Sequence, residues 1–139
     1  MGRFEYLHKL SNMNDIILVQ EHWFFTKKIA VFESKLPHMN VHGISGMEDH
    51  DILQGRPYGG CAILWKRSLN TKVSPVRFTS KRICAITLDM NSQSILIINV
   101  YMPCDTNGSD NCTYEEIINE ISEKIHELNI RSEEHTSEL

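Results

Sequence analysis

An α/β sandwich with antiparallel strands is the fold this sequence predicts. Three observations point to it: a helix–strand–helix opening, three consecutive strand-like segments after it, and a closing amphipathic helix. A doubly wound parallel sheet would instead alternate strand and helix throughout. The 139 residues carry 41% hydrophobic and 23% charged side chains with 7 Gly and 4 Pro, which fits a globular domain rather than a disordered or collagen-like chain.

Residues 3–12 place Phe4, Leu7 and Leu10 at helical spacing with Glu5, Lys9 and Ser11 between them, so a short amphipathic helix is expected. Ile16 to Gln20, bounded by Asp15 and Glu21, is a β-branched apolar run that reads as a strand buried on both faces. Residues 25–36 suit a helix that Pro37 ends, and Val41 to Gly46 a short strand or loop. Gly55-Arg-Pro-Tyr-Gly-Gly60 is a turn cluster before the strand Cys61 to Trp65. A basic linker leads to the strand Arg82 to Asp89, a hairpin-like turn at 90–93, and the strand Ser94 to Tyr101, which Pro103 closes. After a polar loop, Thr113-Tyr-Glu-Glu116 matches a capping box. The helix it opens sets Ile117, Ile121, Ile125 and Leu128 on a core-facing stripe, with glutamates on the remaining surface. The tail from Arg131 shows neither helix nor strand periodicity, so the domain is expected to span 1–130 and residues 131–139 to be an unrelated or disordered tail.

Charge is distributed unevenly. The formal net charge is −4, yet no acid lies between Asp51 and Asp89, where Arg56, Lys66, Arg67, Lys72, Arg77, Lys81 and Arg82 supply +7. From Asp105 onward ten acids face Lys124 and Arg131, giving −8. Such asymmetry suits a basic face lying along a polyanion, or ordinary solvated hairpin positions. No apolar run approaches the ~20 residues of a membrane span. The opening lacks the apolar core of an export signal, so an intracellular protein is expected. Cys61, Cys84, Cys104 and Cys112 form no C-x-x-C pair, and two lie in apolar runs, so a disulfide framework is not expected. The sequons at Asn107 and Asn111 then read as a polar loop. His38, His42 and His50 match no tetrahedral zinc spacing.

Two places could carry chemistry. Glu21, at the end of an apolar strand, sits where α/β sheets hold ligands. It could be a metal ligand or catalytic acid, or a cap or salt-bridge partner. Asn99 and Tyr101 share one strand face, so an amide and a phenol emerge together, able to hold a phosphate oxygen. The alternative is a core tyrosine with its hydroxyl satisfied.

Taken in order, Asp15-Ile-Ile-Leu-Val-Gln-Glu-His-Trp23, Arg56-Pro-Tyr-Gly-Gly-Cys-Ala-Ile-Leu-Trp65, Ile97-Ile-Asn-Val-Tyr-Met-Pro-Cys-Asp105 and Tyr114-Glu-Glu-Ile117 form a pattern spanning about residues 4–130. This pattern resembles the endonuclease/exonuclease/phosphatase superfamily, and within it the apurinic/apyrimidinic-like endonuclease domain of non-LTR (LINE-type) retrotransposons. The resemblance implies the N-terminal half of a four-layer α/β/β/α sandwich. It further implies that Glu21 binds a catalytic Mg²⁺ (or Mn²⁺), that Tyr101 contacts the scissile phosphate, and that Asn99 belongs to the same motif. The seven cations from Arg56 to Arg82 would follow a DNA backbone. The implied reaction is hydrolysis of a phosphodiester by an in-line water, nicking nuclear DNA for reverse transcription. Neither a membrane nor a protein partner is implied. The family domain also has a preceding Asn-bearing strand, a G-D-x-N strand and a terminal S-D-H, none of which this sequence contains. A fragment inactive by itself is therefore expected. A phosphatase-type member of the superfamily, or a non-catalytic nucleic-acid-binding remnant, is the alternative.

Overall fold

The computed structural model describes residues 3–47, 59–102 and 111–137, without the side chains of residues 3, 111–113 and 130–137. The chain forms two compact units, Met1–Tyr101 and Met102–Leu139.

In the first unit, helix α1 (Arg3–Met13) leads into strand β1 (Ile16–Gln20), a 3₁₀ turn (Thr26–Lys28), helix α2 (Val31–Lys35) and strand β2 (Met39–Ile44). Strand β3 (Cys61–Lys66), a second 3₁₀ segment (Arg67–Lys72), and strands β4 (Val73–Val76), β5 (Ile83–Met90) and β6 (Gln93–Val100) follow. They make two antiparallel three-stranded sheets, β1-β3-β2 and β4-β5-β6. The expected mixed α/β class with antiparallel neighbours is what the strands form.

Strand alternation stacks these layers. Ile17 of β1, Met39 of β2 and Ala62 and Leu64 of β3 point to one face of the first sheet. There they meet Ile29, Phe32 and Leu36, with Phe4, Leu7 and Leu10 of α1 packed against them. Cys61, Ile63 and Trp65 point to the other face and meet Val73, Cys84, Ile86 and Leu88 of the second sheet. Helices, sheet and sheet are thus three layers, and β3, covered on both sides, buries five consecutive apolar residues. Ile63 and Leu64 each contribute about 1.5–3 kcal/mol by leaving water, and Ala62 less.

Several local expectations are corrected. β1 is not buried on both faces: it is an edge strand, only Ile17 is buried, and Leu18 is 46% exposed. Residues 25–36 form two short helical pieces rather than one helix, as expected where β-branched Thr26, Ile29 and Val31 lower helix propensity. Leu36, before Pro37, leaves the helical region at ψ 76°. The basic linker holds β4, whose Val73 and Val76 are buried against β5. Pro75 is tolerated because β4 is an edge strand. The turn at 90–93 is a two-residue hairpin, with Met90 opposite Gln93 and left-handed Asn91 (φ 52°) and Ser92 (φ 68°), as a type I′ turn requires.

In the second unit, helix α3 spans Asn111–Ser137. It starts two residues before the expected cap, so Thr113 lies inside the helix, and its backbone continues past Arg131. Glu and Arg are good helix formers, so the end of apolar periodicity does not end the helix. On the stripe, Ile117 is buried, Ile121 and Leu128 are half-buried, and Ile125 is 42% exposed, so only its start is core-like. Among the described residues, no helix is long and apolar enough to cross a membrane.

Candidate active site at the ends of β1 and β6

Antiparallel pairing carries β1 against β3 as far as Gln20 opposite Cys61. Beyond it, Glu21 N–H donates to Gly60 O and Trp23 N–H to Gly59 O, each at 2.7 Å, so three residues on one side span two on the other. This is the geometry of a bulge, with Glu21 (φ 57°) and Trp23 (φ 58°) both left-handed. Two glycines make room for it. A Cβ on Gly59 would lie 2.4 Å from Glu21 Cα, and one on Gly60, whose φ is +81°, would lie 2.6 Å from both the His22 ring and Ile44 O.

His22 fastens the bulge from inside. It is 4% exposed, its Nδ1 accepts from Phe24 N–H at 2.9 Å, and its Nε2 lies 3.0 Å from Ile44 O. With Nδ1 an acceptor, Nε2 carries the proton and donates, so the ring serves as a neutral imidazole. Phe24 stacks on it and Phe32 meets it edge-on. Burial lowers its pKa, against smaller upward contributions from the Ile44 and Cys61 backbone. His42 is also held low, by burial and then by the charge of Arg77.

The pH dependence of stability follows from those two directions. The unfolded chain takes up protons as pH falls through about 6.5, while both folded imidazoles stay neutral further down. Stability is therefore full above that value and declines below it until the folded pKa values are reached, by at most about 1.4 kcal/mol per pH unit for each group. Urea midpoints at pH 7.5 and 5.5 should show the lower value at 5.5, and His22→Gln with His42→Gln should flatten the difference. A higher midpoint at pH 5.5 would contradict the assignment.

Tyr101 continues the β5–β6 ladder, its N–H donating to Arg82 O at 2.9 Å. Its phenol donates to Glu21 Oε1 at 3.1 Å, joining groups 80 residues apart. The Arg82 guanidinium stands 5.7 Å from the ring centroid, within cation–π range, and its Nη1 donates to Tyr101 O at 3.4 Å. A carboxylate, a phenol and a guanidinium thus meet where the two sheets adjoin. Glu21 is exposed, and Tyr101 and Arg82 are half-buried. A cavity of about 270 Å³, lined by Phe4, Leu7, Val19, Phe24 and Phe32 among others, also touches Glu21.

Asn99 does not join this cluster. It is 3% exposed, its Nδ2 donates to Val19 O at 2.9 Å and Ala62 O at 3.0 Å, and its Oδ1 accepts from Gln20 Nε2 at 3.0 Å. Gln20 Nε2 also donates to Val100 O at 3.0 Å. The expectation that this amide emerges beside the phenol is therefore corrected: Asn99 ties β6 to β1 and β3 and has no donor left for a phosphate. It is a positioning residue for the strand ends that carry Glu21 and Tyr101.

The six described cations, Lys66, Arg67, Lys72, Arg77, Lys81 and Arg82, do not form one track. Lys66 ends β3 opposite Ile16's end of β1, five residues or roughly 17 Å of strand from the Glu21 end, and pairs with Asp15 at 3.3 Å. Arg67 and Lys72 bound the 3₁₀ segment after it, and Val73 opposite Leu88 puts Lys72 toward the β5–β6 turn. Arg77, Lys81 and Arg82 lie instead near the start of β5, the Tyr101 end. Arg56, His50, Cys104 and the Asn107 sequon lie outside the described residues. Cys61 and Cys84 are fully buried, which keeps both thiols from reaching a substrate; their mutual hydrogen bond pushes the Cys84 thiol far up, with burial adding to it, and lowers Cys61.

Among the described residues, no group of three or more His, Cys, Asp and Glu is placed to hold a metal. One exposed carboxylate suits a hydrated Mg²⁺ that shares a substrate phosphate, the usual habit of that ion, but not a resident protein-only site. The chain matches no known family description, and no characterised protein matches it. Glu21 and Tyr101, the candidates read from the sequence, are brought together here; the roles of His22 in fastening the bulge and of Gly59-Gly60 in admitting it carry no signal along the chain.

Proposed function

We propose that this chain is part of a metal-dependent phosphodiester-cleaving endonuclease domain of the LINE retrotransposon type, the N-terminal half of a four-layer sandwich. The supporting observation is the hydrogen bond from Tyr101 to Glu21. It sets a carboxylate beside a phenol, and this supports the reading because a carboxylate oxygen suits a hard cation and a phenol suits a phosphoryl oxygen. In this reading Glu21 would hold Mg²⁺ or Mn²⁺, which when bound supplies Lewis-acid polarisation of the phosphate. Tyr101, whose one hydroxyl proton goes to Glu21 Oε1 in this structure, would turn it to a non-bridging oxygen when Glu21 holds the cation, and Arg82 adds positive charge beside the ring. Gly59 and Gly60 let the bulge come close, His22 fixes it, and Asn99 sets the spacing between the sheets. The partner is DNA, met by Arg77, Lys81 and Arg82 at the site end.

These residues include no group placed to activate water, so this polypeptide is expected not to nick supercoiled plasmid in Mg²⁺. Nicking that Glu21→Ala abolishes would overturn this. Metal binding tests the reading without turnover. Mn²⁺ should be retained in the presence of a DNA oligonucleotide, as read by electron paramagnetic resonance, and should lose that retention in Glu21→Gln. Equal retention in both proteins would reject Glu21 as the ligand. The single carboxylate also favours a second reading, nucleic-acid binding without cleavage. A salt-dependent mobility shift that is unaffected by Glu21→Gln would select it.

A further inference from the structure

Trp23 is the one strained, exposed aromatic in the bulge that presents Glu21. It lies two residues beyond the carboxylate, adopts φ 58°, and leaves 45% of its surface in water. A bulky residue rarely takes that backbone region, and strain of this kind persists only where the surroundings enforce it. Here they do: its N–H is held by Gly59 O at 2.7 Å, and its ring lies against Gly59, where an added Cβ would sit 3.0 Å from Cε2. The other tryptophan, Trp65, is 5% exposed and donates to Asn70 Oδ1 at 3.3 Å, so it is core.

We propose that Trp23 is a stacking platform for a nucleobase next to the phosphate that Glu21 and Tyr101 face. An indole offers neither a metal ligand nor an anion, and its chemistry toward a nucleic acid is a broad π-face. Every base can use that face, so the contact is tolerant of sequence. The backbone supplies the orientation: the two left-handed residues flanking His22 turn carboxylate and indole out of the same bulge. Held against Gly59, the ring loses little further freedom when a base lands on it. The inference rests on the nucleic-acid reading of the site and adds a contact to the base rather than to the phosphate.

The test uses the whole chain with Trp65→Phe, so that Trp23 is the single emitter, and a short oligothymidylate at low salt. Binding is read by anisotropy of the labelled oligonucleotide, and stacking by indole emission. Expected results are quenching, protection from acrylamide, and an affinity lowered about 5- to 100-fold by Trp23→Ala. Trp23→Phe should keep most of the affinity, and Trp23→Leu, with similar bulk but no π-face, should not. Circular dichroism checks that each variant is folded. Binding with unchanged emission and unchanged affinity in Trp23→Ala would overturn the stacking role and leave the phosphate reading standing. No oligonucleotide binding at all, or an emission change with anionic phosphatidylserine vesicles alone, would also overturn it. Quenching that persists while Glu21→Gln leaves Mn²⁺ retention unchanged would support the platform and reject the metal reading.

Discussion

Replacing Asn99 with Ala should destabilise the first unit by about 3–5 kcal/mol, a large share of the roughly 5–15 kcal/mol that holds a domain together. The side chain is 3% exposed, and three hydrogen bonds end on it. Truncation removes the Nδ2 donor from Val19 O and Ala62 O, and a buried group left unpaired costs about 1–3 kcal/mol; exposed Gln20 loses the Oδ1 acceptor but keeps Val100 O. A cavity between the sheets adds to this. Asn99→Asp should be no better, since it keeps the shape but turns a negative oxygen toward two carbonyls. Urea unfolding followed by circular dichroism measures the effect. If Asn99 were instead a phosphate contact, Asn99→Ala would keep the midpoint and lower DNA affinity, and that result would refute the structural role.

Adding a methyl group at Gly60 or Gly59 should be nearly as damaging. At Gly60 the new Cβ meets the buried His22 ring and a backbone oxygen at 2.6 Å, and the residue keeps φ +81°, where a side chain adds about 1–2 kcal/mol. At Gly59 it meets the Glu21 backbone at 2.4 Å, which cannot yield without moving the bulge. Each Gly→Ala should lower stability by about 3 kcal/mol or displace Glu21 and Trp23, with the Trp23 emission shifted and Mn²⁺ retention lost. Gly43→Ala is the internal control. Its Cβ would meet the Ile29 side chain at 2.9 Å, which can shift, and Ala62 Cβ at 3.2 Å, which needs only a few tenths of an ångström, so a smaller cost of about 1–2 kcal/mol is expected. An equal effect at all three glycines would show that the two next to the bulge have no special place.

Much of the site was legible because its parts are local. An apolar run ending in Gln20-Glu21 marks a strand with a carboxylate at its end, and alternation up to Tyr101 marks a phenol at the end of another. Both proved correct in place. Alternation also put Asn99 and Tyr101 on one face, yet that face is interior at Asn99 and half-open at Tyr101, because the first sheet covers β6 only up to there. The cation run was legible as charge but not as shape. Lys66 and Arg82 are sixteen residues apart in the chain and end up at opposite ends of the strands, since β3 runs away from the bulge and β5 starts beside it.

Neighbour-to-neighbour chemistry was thus enough for the α/β class, for most strands, for the hairpin at Asn91-Ser92 and for the places of Glu21 and Tyr101 just past two strand ends. The pairing of Glu21 with Tyr101 came from elsewhere. It depends on how two sheets stack and on which residues are small enough to let a bulge approach. Those are contacts between segments about 40 to 80 residues apart, which no periodicity along the chain encodes.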